Sequence, residues 1–388
     1  MKSANPVYAG LGTTIFEVMS RLAIAEGAIN LGQGFPDTDG PATVREAAAR
    51  YAVEGPNQYP PMLGVPALRQ AVAAHDKRFY GLDVDWQTET MVTSGATEAL
   101  ADAIFALVEP GDEVVLFAPL YDCYLPLVRR AGGVPRIVPV NPPDWAVTDE
   151  ALDAAFSANT KMVLINNPMN PAGKVFTVDE LERIAARVRA SDAYVVADEV
   201  YEHIVFDDHR MIPFITLPGM RERTVKIASA GKSFSLTGWK VGMITAAPDL
   251  LQPIAKAHQF MTFTTPPHLQ LAVAEGLALG DDYYASLAGD LRAKRDRLAD
   301  GLADLGFAVL DCQGTYFVTC DCAGLGLGDD DAEICRTLTV EAGVAAVPAS
   351  AFFPDPETAP KSFIRFCFSK KDEVLDGALE RLGAYLKR

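Results

Sequence analysis

The chain has 388 residues, 49% of them hydrophobic, enough to bury a large core and to form two domains, with a third still possible. Its 51 acidic residues against 34 basic ones leave a net charge of −17, so the surface repels phosphate backbones and anionic membranes, and nucleic acid is not an expected partner. No stretch approaches about 18 uninterrupted apolar residues, and the start MKSANPVYAGLGTTIFEVMS has neither the basic region nor the apolar run of a secretory signal, so a cytoplasmic location without membrane partners is expected.

Up to about residue 45 the chain reads as loop-rich, with LGQGFPDTDGP at 31–41 as a turn cluster. From about 95 to 247, short β-rich runs alternate with helical patterns. The runs are 112–118, 135–140, 161–166, 193–198, 224–229 and 241–247. This alternation predicts an α/β fold: a mainly parallel sheet with helices on both faces. The last hundred residues change character. A helix rich in Arg and Lys (286–306) precedes strands at 307–312 and 315–321, a helix near 330–342, strands at 345–348 and 362–369, and a final amphipathic helix. That pattern predicts a smaller α+β domain joined by both chain ends. The expected division is 1–45 as an N-terminal segment packing with the small domain, 46–280 as the large domain and 281–388 as the small one.

Six cysteines, at 123, 312, 320, 322, 335 and 367, are few for this length. None form a CxxC motif or a Cys/His cluster with zinc spacing, so reduced, mostly buried thiols and no metal are expected. Cys320 and Cys322 share one face of a strand, but nothing near them completes a site.

The chemistry-bearing residues cluster around the strand ends. In TSGATEALADAIFALV, Gly95 leads into a helix starting near Ala96, where backbone N–H groups and the helix dipole can cradle a phosphate and Thr97 can add its hydroxyl. Alone, the pattern is more often an ordinary cap. AYVVADEVYEH puts Asp198 at the C-terminal end of an apolar strand with Tyr201 beyond it, either as a helix cap with a core tyrosine or as a buried carboxylate that needs a cationic partner. In SAGKSFSLTGWKVG, Lys232 sits among small residues after a strand, where an amine can approach a ligand, with Ser229 and Lys240 as anion-binding candidates. An exposed loop lysine is the plainer alternative. INNPMNPAGKVF holds Asn170 on a rigid loop as a turn residue or as an amide donor to an oxyanion. FAPLYDCYLPL places Tyr121 to stack on a flat ring. Arg365 in SFIRFCFS is a lone charge among apolar neighbours, and gripping a carboxylate of the substrate is favoured over an internal salt bridge.

The order of these segments, with LGTTIFEVMS, NQYPPMLGVPALR and GTYF, resembles the class I/II aminotransferases of the pyridoxal phosphate (PLP) fold type I over nearly the whole chain. It looks closest to the branch with kynurenine/glutamine, bacterial methionine and succinyl-diaminopimelate aminotransferases. The resemblance implies a large PLP-binding domain with a seven-stranded sheet. It implies Lys232 as the residue that bears the cofactor, Asp198 against the pyridine nitrogen, Asn170 and Tyr201 on the phenolate oxygen, and Tyr121 stacked on the ring. The phosphate would be held by Gly95, Ala96, Thr97, Ser229, Lys240 and, from the second subunit of a homodimer, Tyr59. Arg365 would clamp the substrate α-carboxylate with Gly34 and Asn170. Lys240 stands where aminotransferases outside this branch often carry Arg, and Met169 is an unusual neighbour for Asn170. No second arginine is assigned to a side-chain carboxylate, which disfavours strict aspartate specificity.

The activity so implied is exchange of an amino group between an amino acid and a 2-oxo acid. Phe16, Phe263 and Tyr121 supply apolar surface for a neutral large or aromatic donor of the methionine, glutamine, phenylalanine or kynurenine type. Succinyl-diaminopimelate as the donor, or β-elimination by a PLP-dependent cysteine-conjugate β-lyase, are the alternatives. A regulatory protein with a retired catalytic domain is disfavoured by the full set of chemical residues and the absence of a basic DNA-binding module.

Overall fold

A computed structural model describes residues 2–356 and 358–387. A short strand β1 (Ile29–Asn30) precedes the large sheet, whose strands are β2 (Thr90–Thr93), β3 (Glu113–Ala118), β4 (Val134–Pro139), β5 (Thr160–Asn166), β6 (Tyr194–Asp198), β7 (Thr224–Ser229) and β8 (Gly242–Ala246). The seven-stranded order is β2-β8-β7-β6-β5-β3-β4. Only β8 runs against its neighbours, so β2 lies parallel to the remaining strands. The six β-rich runs of the sequence reading all form strands. The seventh, β2, is the short fully buried run TMVT, which lies between a one-turn helix and the Ser94–Gly95 turn and carries too few residues to show a period.

The sheet is covered on both faces, which is why β3, β5 and β6 are almost continuously buried rather than alternating in and out. Val114 and Leu116 of β3 pack with Leu100, Ile104 and Ile254 of the helices Ala96–Leu107 and Pro248–Met261. Val115 and Phe117 face the other way, onto Leu181, Ile184 and Val188 of the helix Val178–Ser191. That second helix starts at a capping box, in which Thr177 accepts from the Glu180 backbone and the Glu180 side chain accepts from Thr177, and it stops at Asp192 in the left-handed region.

The C-terminal part adds β9 (Ala308–Val309), β10 (Phe317–Asp321), β11 (Val344–Ala345), β12 (Val347–Pro348) and β13 (Phe363–Cys367). Strands β12-β13-β10-β9 form an antiparallel four-stranded sheet. The two chain ends meet as expected: β1 pairs in parallel with β11, and the Cys367 N–H donates to the Leu31 carbonyl. Of the strand expected at 307–312, only Ala308 and Val309 pair. The helix expected near 330–342 is α-helical over Asp331–Thr337 and widens to a π-turn over Leu338–Ala342. All six cysteines are free thiols, and all but Cys123 are buried. Among the described residues, no helix is long and apolar enough to cross a membrane.

Candidate active site

The parallel strands all point their C-terminal ends at one edge of the sheet, and an open α/β sheet binds ligands beyond that edge. There the structure has a cavity of about 210 Å³, bounded by the ends of β2, β5, β6 and β7 and by the turn entering β8. It brings together Gly95, Ala96, Thr97, Tyr121, Asn170 and Asp198 with Tyr201, Ser229, Lys232 and Lys240, all drawn from the sequence reading. Because β8 is reversed, Lys240 reaches this edge from the start of a strand rather than the end of one.

Gly95 makes one wall possible. Its φ of +87° lies in the region that favours glycine, and a Cβ there would stand 3.2 Å from the Lys240 amine. Gly242 allows β8 to pass close by, since a Cβ at that position would fall 2.5 Å from the Gly95 carbonyl carbon. The N–H groups at the start of the helix Ala96–Leu107 therefore open onto the cavity beside an ammonium group.

Asp198, the last residue of β6, is buried. Its Oδ2 accepts from the Tyr124 hydroxyl at 2.6 Å, and no cationic side chain among the described residues pairs with it. Burial pushes its carboxyl above the usual range, and the bond from Tyr124 offsets this only in part. Beneath it, Asn166 joins the loop to the strand: its amide donates to the Asp198 carbonyl at 2.9 Å, and its Oδ1 accepts from the Asn170 N–H at 2.8 Å.

Lys232 lies in the one-turn helix that follows β7. Its amine donates to the Tyr316 hydroxyl at 2.7 Å, and that hydroxyl donates on to the Gly34 carbonyl at 2.8 Å. The amine also lies against the rings of Tyr316 and Tyr201, and no acid among the described residues pairs with it. Burial consequently pulls its pKa down to about 8.

Arg365 on β13 does not line the cavity. It is wholly buried behind Asn170, to whose Oδ1 it donates at 2.9 Å, and it also donates to the Gly32 carbonyl at 3.0 Å. Its Nε has no hydrogen-bond partner, and no carboxylate pairs with it among the described residues. The rings of Phe317, Phe352 and Phe16 enclose the guanidinium at 3.8, 4.9 and 5.4 Å, and burial lowers its pKa to about 10. Because Arg365 occupies Oδ1, the Asn170 amide is left with its N–H groups to donate. Met169 is core: it is buried and bridges backbone to backbone with Lys174.

Two expected residues stand apart from the cavity within one chain. Tyr59 is 82% exposed and packs edge-on against Phe263 at 5.5 Å, in a surface depression of its own with Thr264 and Pro266. Tyr124, Tyr316 and Asn166 also stand at the site, without a role expected from the sequence. Tyr124 sits one helical turn beyond Tyr121 in PLYDCY, and Asn166 directly precedes the Asn-Pro turn; Tyr316 is brought in from the C-terminal part, and no local pattern points to it.

The model of the family described as aminotransferase class I and II matches residues 26–382. A probable N-succinyldiaminopimelate aminotransferase of Mycobacterium tuberculosis is 45% identical, with 97% of each chain covered. The methionine aminotransferase of Escherichia coli is 42% identical, with 96% of each covered. Among solved structures, the N-succinyldiaminopimelate aminotransferase from Mycobacterium tuberculosis superimposes with a TM-score of 0.95 at 44% identity, covering 99% of this chain and 100% of the other. A buried amine, a buried carboxylate and a buried guanidinium, none of them ion-paired among the described residues, suit a site whose counter-charges arrive with its ligands. That chemistry and these likenesses over almost the full length agree: the chain belongs to the class I and II aminotransferases, and it is a transaminase acting between amino acids and 2-oxo acids.

Proposed function

We propose that the enzyme carries pyridoxal phosphate on Lys232 and transaminates a neutral amino acid with a large or aromatic side chain. The observation that carries this reading is the pair of uncompensated groups facing one cavity: the Lys232 amine, held only by a tyrosine hydroxyl, and the Asp198 carboxylate, held only by Tyr124 and a backbone N–H. The residues present fit the cofactor. An anion suits the helix start at Gly95, Ala96 and Thr97 with Ser229 and Lys240, a protonated ring nitrogen suits Asp198, and an aldehyde suits a buried amine whose pKa is lowered to about 8.

When bound, the cofactor supplies a ring that accepts the electron pair left as the substrate Cα loses its proton. Asp198 keeps a proton on the ring nitrogen, and Tyr124 orients that carboxylate. Lys232 would be the base that takes the proton from Cα. Its depressed pKa suits both duties, because a neutral amine is needed first as nucleophile and then as base. Asn170 and Tyr201 would hold the cofactor through its phenolate oxygen, and Tyr121 would supply an aromatic surface for the ring. Arg365, with Asn170 and Gly34, receives the α-carboxylate, for which Phe16 and Phe352 must part from the guanidinium. In this reading residues 46–280 form the cofactor-binding domain, with 281–388 and 1–45 as the smaller one. Two copies pair so that Tyr59 and Phe263 of one serve the site of the other, in a cytoplasmic homodimer.

A second reading is favoured by the 45% identity to the Mycobacterium tuberculosis protein: N-succinyldiaminopimelate as the amino donor. A half-reaction screen tests both, following conversion of the cofactor to its amine form spectroscopically across a panel of donors without an acceptor. Fastest conversion by methionine, glutamine, phenylalanine or kynurenine supports the first reading. Conversion by the succinylated substrate alone supports the second. Pyruvate and ammonia released without any oxo acid would identify a lyase and sink both.

A further inference from the structure

We propose that Glu98, Asp102 and His258 form a binding site for one divalent transition-metal cation, one helical turn along from the helix start that faces the cavity. Glu98 and Asp102 are four residues apart in the helix Ala96–Leu107, so their carboxylates share a face. His258, from the last turn of the helix Pro248–Met261, points between them. Its Nδ1 lies 2.9 Å from Glu98 Oε1 and 3.5 Å from Asp102 Oδ2. Ligand atoms around a tetrahedral ion with bonds of about 2.0–2.1 Å stand about 3.3 Å apart, and the two observed separations bracket that value.

Three further observations suit a cation at this place. Asp102 is completely buried, and apart from the 3.5 Å approach of His258 Nδ1 its carboxylate oxygens meet no donor among the described residues. An unsatisfied buried carboxylate is costly unless a positive charge offsets it. The His258 Nε2 lies 3.1 Å from the Met62 carbonyl, which fixes the ring with Nδ1 towards the two acids; they hold a proton on Nδ1, and an arriving cation would take that proton's place between them. Glu98 is itself held from behind, accepting from the Ser94 N–H and the Thr262 hydroxyl. Once the Nδ1 proton has left, two carboxylates and a neutral imidazole match a divalent ion in charge, and one nitrogen with two oxygens is a donor set that zinc accepts.

Another cluster in the molecule has ligating side chains, with His75 Nε2 and His203 Nε2 2.6 Å apart beside Glu202. There the Lys226 ammonium already sits 2.9 Å from Glu202 and repels a cation. At the proposed site no lysine or arginine pairs with Glu98 or Asp102 among the described residues. A bound ion would tie the Ser94–Thr97 turn to the end of the facing helix, where Ser94 Oγ and Thr265 Oγ1 already meet at 3.0 Å. It would thereby brace the wall of the cavity without touching substrate.

The test is calorimetric titration of the full-length holoenzyme with zinc, after removal of metals by a chelator and of excess cofactor by dialysis, with metal content measured in parallel. The expected result is one zinc per chain for the wild type, with Kd weakened at least about tenfold in Asp102→Asn and in His258→Gln and unchanged in His75→Gln. Near-UV circular dichroism verifies that each variant is folded, and the wild-type titration requires no variant at all. Failure of the wild type to take up a full equivalent, or uptake that ignores both substitutions, overturns the proposal; an imidazolium merely bridging two acids would give the first of these results.

Discussion

Two buried lysines lie close together in the chain and have opposite surroundings. Lys226, within β7, sits between Asp76 at 3.1 Å and Glu202 at 2.9 Å. Burial alone would lower its pKa, but Asp76 and then Glu202 outweigh it and hold the ammonium above its ordinary value. Lys232, just past the end of the same strand, meets only the Tyr316 hydroxyl and falls to about 8. The difference extends to the neighbours. Around Lys226 the ammonium faces Asp76 and Glu202, and burial pushes the neighbouring Glu199 up to about 8, an effect that Lys226 and the Phe214 N–H offset only in part. Around Lys232 the protein leaves an amine, a carboxylate and a guanidinium without opposite charges. A buried cation that the fold fully pairs holds the structure together, whereas one it leaves unpaired is available to a ligand.

Substitution of the two lysines gives the widest separation. Lys232→Ala should lower turnover on the order of 10⁵-fold or more and remove the cofactor adduct that borohydride traps, with little change in melting temperature. Lys226→Met should do the reverse, costing about 3–5 kcal/mol of stability by leaving Asp76 and Glu202 unpaired, with the folded fraction still turning over. Loss of activity in both variants at unchanged stability would erase the distinction. Asp198→Asn should keep the fold and some cofactor affinity yet lower kcat about 10²–10³-fold; near-normal kcat would remove the carboxylate from the chemistry.

Smaller effects sharpen the contrast. Arg365→Lys should raise KM for the donor about 10–100-fold, since it loses charged hydrogen bonds worth about 1.5–3 kcal/mol, while melting shifts little. An unchanged KM would make Arg365 purely structural. In cofactor-free enzyme, the rate at which an amine-selective reagent modifies Lys232 should rise with pH through about 8 and then level off, because only the neutral amine reacts. Lys226 should stay unmodified over the same range; equal labelling of both lysines would contradict their assigned environments. The smallest effect expected is from Tyr124→Phe. Its hydroxyl lowers the Asp198 pKa, so its removal should move the acid limb of the kcat/KM profile to higher pH by about one unit or less. A limb that moves to lower pH, or does not move, would mean that Tyr124 does not tune Asp198.

Much of the fold was legible because both faces of the sheet are buried. Strands such as VVLF in β3 and VVAD in β6 read as apolar runs ending in polar residues, and the intervening helices keep a three- and four-residue period. β2 was not legible, since it is too short to carry a period. Of the candidate site, those parts were legible that stand at a strand end or within a few residues of one: Gly95, Asn170, Asp198, Ser229 and Lys232. Tyr316 and the enclosure of Arg365 were not, because they depend on β10 and β13 folding against segments near residues 34 and 170, hundreds of positions away in the chain.

The amino-acid order by itself determined which groups stand at the strand ends, because a side chain next to a strand terminus inherits its place from local hydrogen bonding. Only the tertiary structure decided their charge environment. Whether a lysine finds two acids or a phenol is settled by which distant elements pack on it, and burial makes that choice count for several kcal/mol. Thus Lys226 and Lys232 differ little as letters in the chain and become opposites once β7 is enclosed.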